Sequence, residues 1–222
     1  MHLVVAATQM EMDAFKGIAH TAEARSEMIV SGVGPMESGI TLSRYLERHH
    51  TKISTVVNFG IGGAYFSSSE KQLNLLDLCV AKREVLGDFG VCYDEKVEPF
   101  EEAAFPAPVV FELDTDLLRE ARLALEEGSL SPAVGTFVTV NGASGRKVRG
   151  DFFAARYQAL CANMEGAAVA RVCELFNLPL LEVRAISNLV EDRPGDKWPV
   201  TEAVARAARA AALIIKRFRD IS

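Results

Sequence analysis

An α/β fold is what this sequence predicts, on three observations. Apolar, β-branched runs alternate with amphipathic segments from end to end. Glycine-rich or polar clusters repeatedly follow the apolar runs. Hydrophobic residues make up 49% of the 222, enough for a substantial core. Such alternation packs as a central mixed, largely parallel twisted sheet flanked by helices, and the length fits one domain over 1–222.

Residues 3–7 form the first apolar run, and Thr8-Gln9-Met10-Glu11 follows at once. Glu11 therefore sits where a buried strand opens onto a loop, or equally in the first turn of the next helix, complementing its dipole. A second strand, 28–31, runs into Gly32-Val33-Gly34-Pro35, and helix 36–48 follows with Ile40, Leu42 and Leu46 inward. A third strand, 54–59, runs into Gly60-Ile61-Gly62-Gly63. Glycines after strands let backbone N–H groups approach a ligand closely, and they equally serve tight strand-to-helix turns. Neither cluster has the GxGxxG spacing of a dinucleotide site, and no GK[ST] P-loop is present.

Segments 77–86 and 89–93 read as further strands of the same sheet, and the Glu-, Pro- and Ala-rich stretch 94–108 as a surface excursion. An amphipathic helix, 116–127, turns Leu117, Ala121 and Leu125 inward. Strand 134–140 ends in Asn141-Gly142-Ala143-Ser144-Gly145, and helix 146–157 leads to the stretch 163–188. There a helix, 167–176, separates Asn163-Met164-Glu165-Gly166 from strand 180–186, which ends in Ser187-Asn188. This is a βαβ unit whose two polar clusters fall at strand ends, where open parallel sheets bind ligands. A plainer arrangement fits the same residues: Asn163 caps the helix and Glu165 complements its dipole. The alanine-rich last helix, 200–219, carries Arg206, Arg209, Lys216, Arg217 and Arg219 as a solvated face.

Composition excludes several classes. The balance of 24 Lys+Arg against 30 Asp+Glu gives −6, so no footprint for nucleic acid is expected. Cys79, Cys92, Cys161 and Cys173 form no CxxC and no Cys/His ligand spacing, which suits a reducing compartment and argues against structural zinc. The opening MHLVVAAT lacks a basic leader, and no apolar run reaches membrane-spanning length. A cytoplasmic protein with no membrane partner is the expectation. None of His2, His20, His49 or His50 lies at a strand end beside a nucleophile, so Ser-His-Asp and Cys-His chemistries find no support. Two carboxylates and two amides remain at strand ends: Glu11, Asn141, Glu165 and Asn188.

That set, in that order, resembles the nucleoside phosphorylase and nucleosidase superfamily. The matching pieces are AATQMEMDAF (6–15), SGVGP (31–35), NFGIGGA (58–64), GTFVTVNG (135–142), NMEGAAVA (163–170) and VRAISN (183–188). The nearest branch is the methylthioadenosine/S-adenosylhomocysteine nucleosidases, and the ATQMEM opening with the Asn of RAISN looks most like the futalosine hydrolases of menaquinone biosynthesis.

The resemblance implies roles and needs no metal or organic cofactor. Glu11 would activate water at the anomeric carbon, beside the glycine-rich turn with Gly62. Glu165 would accept hydrogen bonds from the ribose hydroxyls while Met164 packs on the sugar. Asn188, oriented by Ser187, would bind the purine at N7. Asn141, Ala143 and Ser144 would line the base, with Ala143 where the family normally carries Phe. A small-molecule purine nucleoside is the implied partner, and a homodimer or higher homo-oligomer the implied assembly.

Physical chemistry favours these roles, because N-glycosidic cleavage builds positive charge on the sugar and electron density on the base. Loops 8–10, 32–36 and 58–63 hold no Arg or Lys to cradle phosphate, which points to hydrolysis. Asn188 donates to N7 and O6 and cannot deliver a proton, which suits hypoxanthine over adenine. For a benzoate-like 5′ group, Arg83, Arg193 and Lys197 are the candidate cations. Alternatives within the resemblance are a methylthioadenosine/S-adenosylhomocysteine nucleosidase or a phosphorylase. From another class comes a non-catalytic nucleoside-binding module, against which the retention of Glu11 argues.

Overall fold

Two ten-residue strands, Thr55–Ala64 and Leu180–Leu189, run side by side through the centre of the molecule. The structure, a computed structural model, describes residues 1–18, 26–66, 72–100, 107–192 and 198–221. Among them the strands are β1 (His2–Ala6), β2 (Ser26–Val30), β3 (Thr55–Ala64), β4 (Leu78–Leu86), β5 (Val91–Tyr93), β6 (Lys96–Glu98), β7 (Val110–Glu112), β8 (Ala133–Thr139), β9 (Ala159–Asn163) and β10 (Leu180–Leu189). The helices are α1 (Gln9–Ile18), α2 (Pro35–His49), α3 (Thr115–Glu127), α4 (Lys147–Tyr157), α5 (Gly166–Leu175) and α6 (Val200–Asp220).

The main sheet is mixed and largely parallel, as expected, with five of its eight described pairings parallel. It is not simply an open sheet between helices. β3 pairs with β10 on one side and, at its far end, with β9 on the other. β10 continues to β4, β4 to β8 and β8 to β9, so the sheet closes on itself. β1 and β2 extend from β3 outside the closed part, and β7 adds to β4.

Helices bury both outer faces. On one side α6 lays Ala203, Ala207, Ala211 and Ile214 against Val57, Phe59, Leu181 and Val183. Its alanines let the helix sit close to the strands, and α1 and α3 share that layer. On the other side α2 and α5 cover Leu3, Val5 and Val56.

Four expectations change. Ile40 is 51% exposed, because α2 buries the i, i+4 stripe Ser38, Leu42 and Leu46 and Ile40 lies off it. Residues 89–93 do not join the main sheet. β5 and β6 form their own hairpin, with Tyr93 opposite Lys96 and Asp94 in a left-handed conformation at the turn. The glycines at 60, 62 and 63 do not form a turn after β3 but lie within it. Finally, β10 runs past Ile186 to Leu189, with a bulge at Ser187 where Ile186 pairs with Gly62 and Asn188 with Gly63. Such a bulge lets two successive side chains reach one side.

Candidate active site

A cavity of about 230 Å³ opens where the later parts of β3 and β10 meet the ends of β1, β8 and β9. Three larger surface grooves, of about 340, 690 and 910 Å³, lie elsewhere, and among the described residues no buried carboxylate lines any of them. The smaller cavity is lined by both Glu11 and Glu165, each at most 5% exposed.

Glu11 is held by a reciprocal cap at the start of α1. Thr8 donates its N–H and its hydroxyl to Glu11 Oε2 at 3.0 and 2.8 Å, while the N–H of Glu11 donates to Thr8 Oγ1 at 3.3 Å. This is the Thr-x-x-Glu capping box. The other oxygen, Oε1, accepts from the Ile61 N–H at 3.2 Å across the cavity floor. A Cβ on Gly60 would stand 2.6 Å from that oxygen and 2.8 Å from Arg184 Nη1, so only glycine admits both groups here.

Glu165 stands at the head of α5 without capping it. Asn163 Oδ1 accepts the N–H groups of Glu165 and Gly166 at 3.0 and 2.7 Å, and Thr139 Oγ1 accepts that of Ala167 at 2.8 Å. The Glu165 carboxylate is thereby free to reach elsewhere. Its Oε1 accepts from the Gly34 N–H at 3.1 Å, and its Oε2 from Arg184 Nη1 at 3.2 Å. Gly34 adopts φ +91°, which turns its N–H toward the carboxylate at no steric cost.

Arg184 is the residue that sequence reasoning missed. It is 2% exposed, donates from Nε to Glu182 Oε1 at 2.9 Å and from Nη1 to the Ile61 carbonyl at 3.2 Å, and so ties β10 to β3. Burial disfavours its charge, but the carboxylates of Glu182, Glu165 and Glu11 outweigh burial and hold the guanidinium firmly charged. Its position inside VRAISN was on view in the sequence, as was the alternation of Glu182 and Arg184 with apolar Leu181, Val183 and Ala185.

Gly62, Ala143, Ser144, Met164, Ser187 and Asn188 also line the cavity. The Ser187 hydroxyl lies 3.0 Å from Asn188 Oδ1 and 3.3 Å from the Gly62 carbonyl, the nearer acceptor being the amide oxygen. Asn188 Nδ2 donates to the Leu189 carbonyl at 3.3 Å, with its second N–H unpaired among the described residues. Ser144 Oγ is shielded from solvent and has no partner among the described residues. Asn141 is the exception: it is not among the lining residues. Its N–H and Nδ2 both donate to Asp88, at 2.7 and 3.0 Å, and anchor the loop that carries Ala143 and Ser144. Arg83 pairs with exposed Glu112 and lines a separate groove, and Arg193 and Lys197 lie outside the described residues. Among the described residues no helix is long and apolar enough to cross a membrane.

Known proteins share this architecture. A family model described as "Phosphorylase superfamily" matches residues 10–219. The chain is 28% identical, over 91% of its own length and 84% of the relative's, to the 5'-methylthioadenosine/S-adenosylhomocysteine nucleosidase of Staphylococcus saprophyticus. Its fold matches a Helicobacter pylori methylthioadenosine nucleosidase mutant with 5'-methylthioadenosine in the active site, at TM-score 0.79 and 20% identity, covering 100% of this chain and 98% of that one. The native futalosine hydrolase of Helicobacter pylori matches at TM-score 0.77 and 20% identity, over 100% of this chain and 97% of that one.

Proposed function

Because the chain belongs to the phosphorylase superfamily, and because Glu11, Glu165 and Asn188 line one small cavity, we propose that it is a purine nucleosidase. It hydrolyses the N-glycosidic bond of a 6-oxopurine nucleoside of the futalosine type and releases hypoxanthine. Glu11 Oε1 takes a proton from the attacking water, a step worth roughly 10² to 10⁴-fold for a well-placed carboxylate. Glu165 accepts from the sugar hydroxyls as positive charge grows on the ring, Met164 packs on the sugar, and Asn188 donates to the leaving purine. The Ser144 hydroxyl gives the base wall one polar group in reach of the purine edge.

The observation that carries hydrolysis over phosphorolysis is the state of Arg184. Among the described residues it is the one Lys or Arg lining the cavity, and Glu182 and Glu165 already engage it. A phosphate nucleophile needs cationic donors of its own, and water does not. A homo-oligomer is part of the same proposal, supported by three exposed apolar side chains, Val33 at the cavity and Met36 and Ile40 on α2, each at least 51% exposed. Light scattering of the purified protein checks that assembly.

A second reading, cleavage of methylthioadenosine or S-adenosylhomocysteine, draws on the Staphylococcus relative. Asn188 separates the two. With Oδ1 held by Ser187, the amide offers an N–H to the base, which stabilises a departing hypoxanthine at N7 and O6 but cannot protonate adenine. Steady-state kinetics on a matched 6-oxo and 6-amino pair will show a clear preference in kcat/KM for the 6-oxo substrate. Equal values would remove the case for futalosine-type substrates.

A further inference from the structure

Beneath the cavity lie two carboxyl groups that the proposed chemistry does not use. Glu84 on β4 and Glu182 on β10 are both fully buried. They converge beside Gly166, where a Cβ would collide with Glu84 Oε1 and stand 2.6 Å from Glu182 Oε2. Glu182 Oε1 faces Arg184 at 2.8 to 2.9 Å, yet its buried Oε2 has no N–H or hydroxyl donor among the described residues. Glu84 touches the other half of the site. Thr139 Oγ1 lies 2.9 Å from its Oε2, and Asn163 Nδ2 donates to its Oε1 at 2.5 Å. Thr139 and Asn163 are the two side chains that cap α5 beneath Glu165.

We propose that Glu84 and Glu182 share a single proton and act as a positioning pair, clasping Arg184 on one side and the first turn of α5, with Glu165, on the other. Two carboxylates this close in a buried site cannot both be charged. Glu182 has the Arg184 guanidinium against it and keeps its charge. Glu84 forms no ion pair among the described residues, feels Arg184 only as a lesser influence, and holds the proton, which it donates to Glu182 Oε2, so the orphan acceptor is satisfied. Burial first, and the Glu182 charge second, push the Glu84 carboxyl well above the ordinary range. Glu182 is raised too, by burial, with Arg184 opposing.

The other titratable groups facing the pair are Glu165 at the head of α5, Cys173 within α5, Cys79 on β4 and Tyr65 just beyond β3. Burial raises Cys79, Cys173 and Tyr65, so all three are neutral and none supplies a competing charge. Loss of the Glu84 proton would place a second anion beside Glu182. Arg184 would then be drawn from Glu165 and from the Ile61 carbonyl toward the pair. The two residues are therefore positioning residues, acting through Arg184 and α5, a role that rests on the proposed nucleosidase reaction.

Two measurements test it. Infrared difference spectra of the whole protein at about pH 8, where ordinary carboxyl groups are ionised, will show the carbonyl stretch of a buried neutral carboxylic acid. Glu84→Gln will remove it. No such band, or one that survives Glu84→Gln, would overturn the shared proton, and neither outcome depends on knowing the substrate. In turnover assays Glu84→Leu will lower kcat on the order of 10 to 100-fold by loosening Arg184 and α5. Glu84→Gln, whose amide N–H can replace the shared proton, will recover most of that loss. If Gln fails as badly as Leu although its thermal unfolding matches wild type, the positioning role is wrong. Failure of wild type to release a purine base counts against the reaction and leaves the infrared result standing.

Discussion

The starts of α1 and α5 look alike in sequence, with a buried strand, a short polar cluster and a lone glutamate where the helix begins. In space the two glutamates divide their labour differently. Glu11 caps its own helix with one oxygen and turns the other to the cavity. Glu165 leaves capping to Asn163 and Thr139, and both its oxygens reach groups distant in sequence, Gly34 and Arg184. A helix-end reading and a functional reading are thus not rivals at Glu11, where one carboxylate serves both. At Glu165 they belong to different residues.

This contrast can be broken by mutation. Glu11→Gln keeps a capping box, since Gln serves at that position as Glu does, but removes the base. It will lower kcat by roughly 10²-fold or more with substrate binding largely kept. Glu165→Gln will act on two quantities. It withdraws one anion from buried Arg184 and leaves one of the donors facing it mispaired, so stability will fall by about 1 to 3 kcal/mol, with kcat lowered and KM raised. Chemical denaturation beside steady-state kinetics separates the two. A Glu11→Gln protein with near-normal kcat would reduce Glu11 to a cap.

The caps themselves sharpen the comparison at smaller scale. Asn163→Ala removes an acceptor for two N–H groups and the donor facing Glu84, so about 2 kcal/mol of stability will go. Thr8→Ala takes one hydroxyl from the α1 cap and will cost about 1 kcal/mol. Activity will also drop, because the same hydroxyl holds the base. The pH dependence follows from the buried pair. Glu84 is raised in the folded state, so its contribution is fully present below the ordinary carboxylate range and is lost as pH rises through its folded value. Melting curves from acid to alkaline pH will flatten in Glu84→Gln.

Much of the site was legible because strand ends carry their own signal. Glu11, Glu165, Ser187 and Asn188 follow or end apolar runs, and all four line the cavity. Three things were hidden for physical reasons. Closure of the sheet depends on β10 pairing with both β3 and β4, contacts between distant stretches that no local pattern encodes. Asn141 had the right residue type and position, yet Asp88, 53 residues earlier, takes its N–H groups. Glu182 and Arg184 sit in a strand buried on both faces, where a charge is tolerated only if paired. Their period-2 spacing shows that they share a face but not that Glu84, Glu11 and Glu165 meet them there.

The central claim is hydrolysis of a 6-oxopurine nucleoside with Glu11 as the base. Incubating the purified protein with futalosine or inosine in phosphate-free buffer, and following hypoxanthine by chromatography, tests it most directly. Wild type will release hypoxanthine and free sugar at a rate that added phosphate does not change, and Glu11→Gln will release it roughly 10²-fold more slowly. Turnover that requires phosphate and yields a sugar 1-phosphate, or no release of base from either nucleoside, would contradict the account.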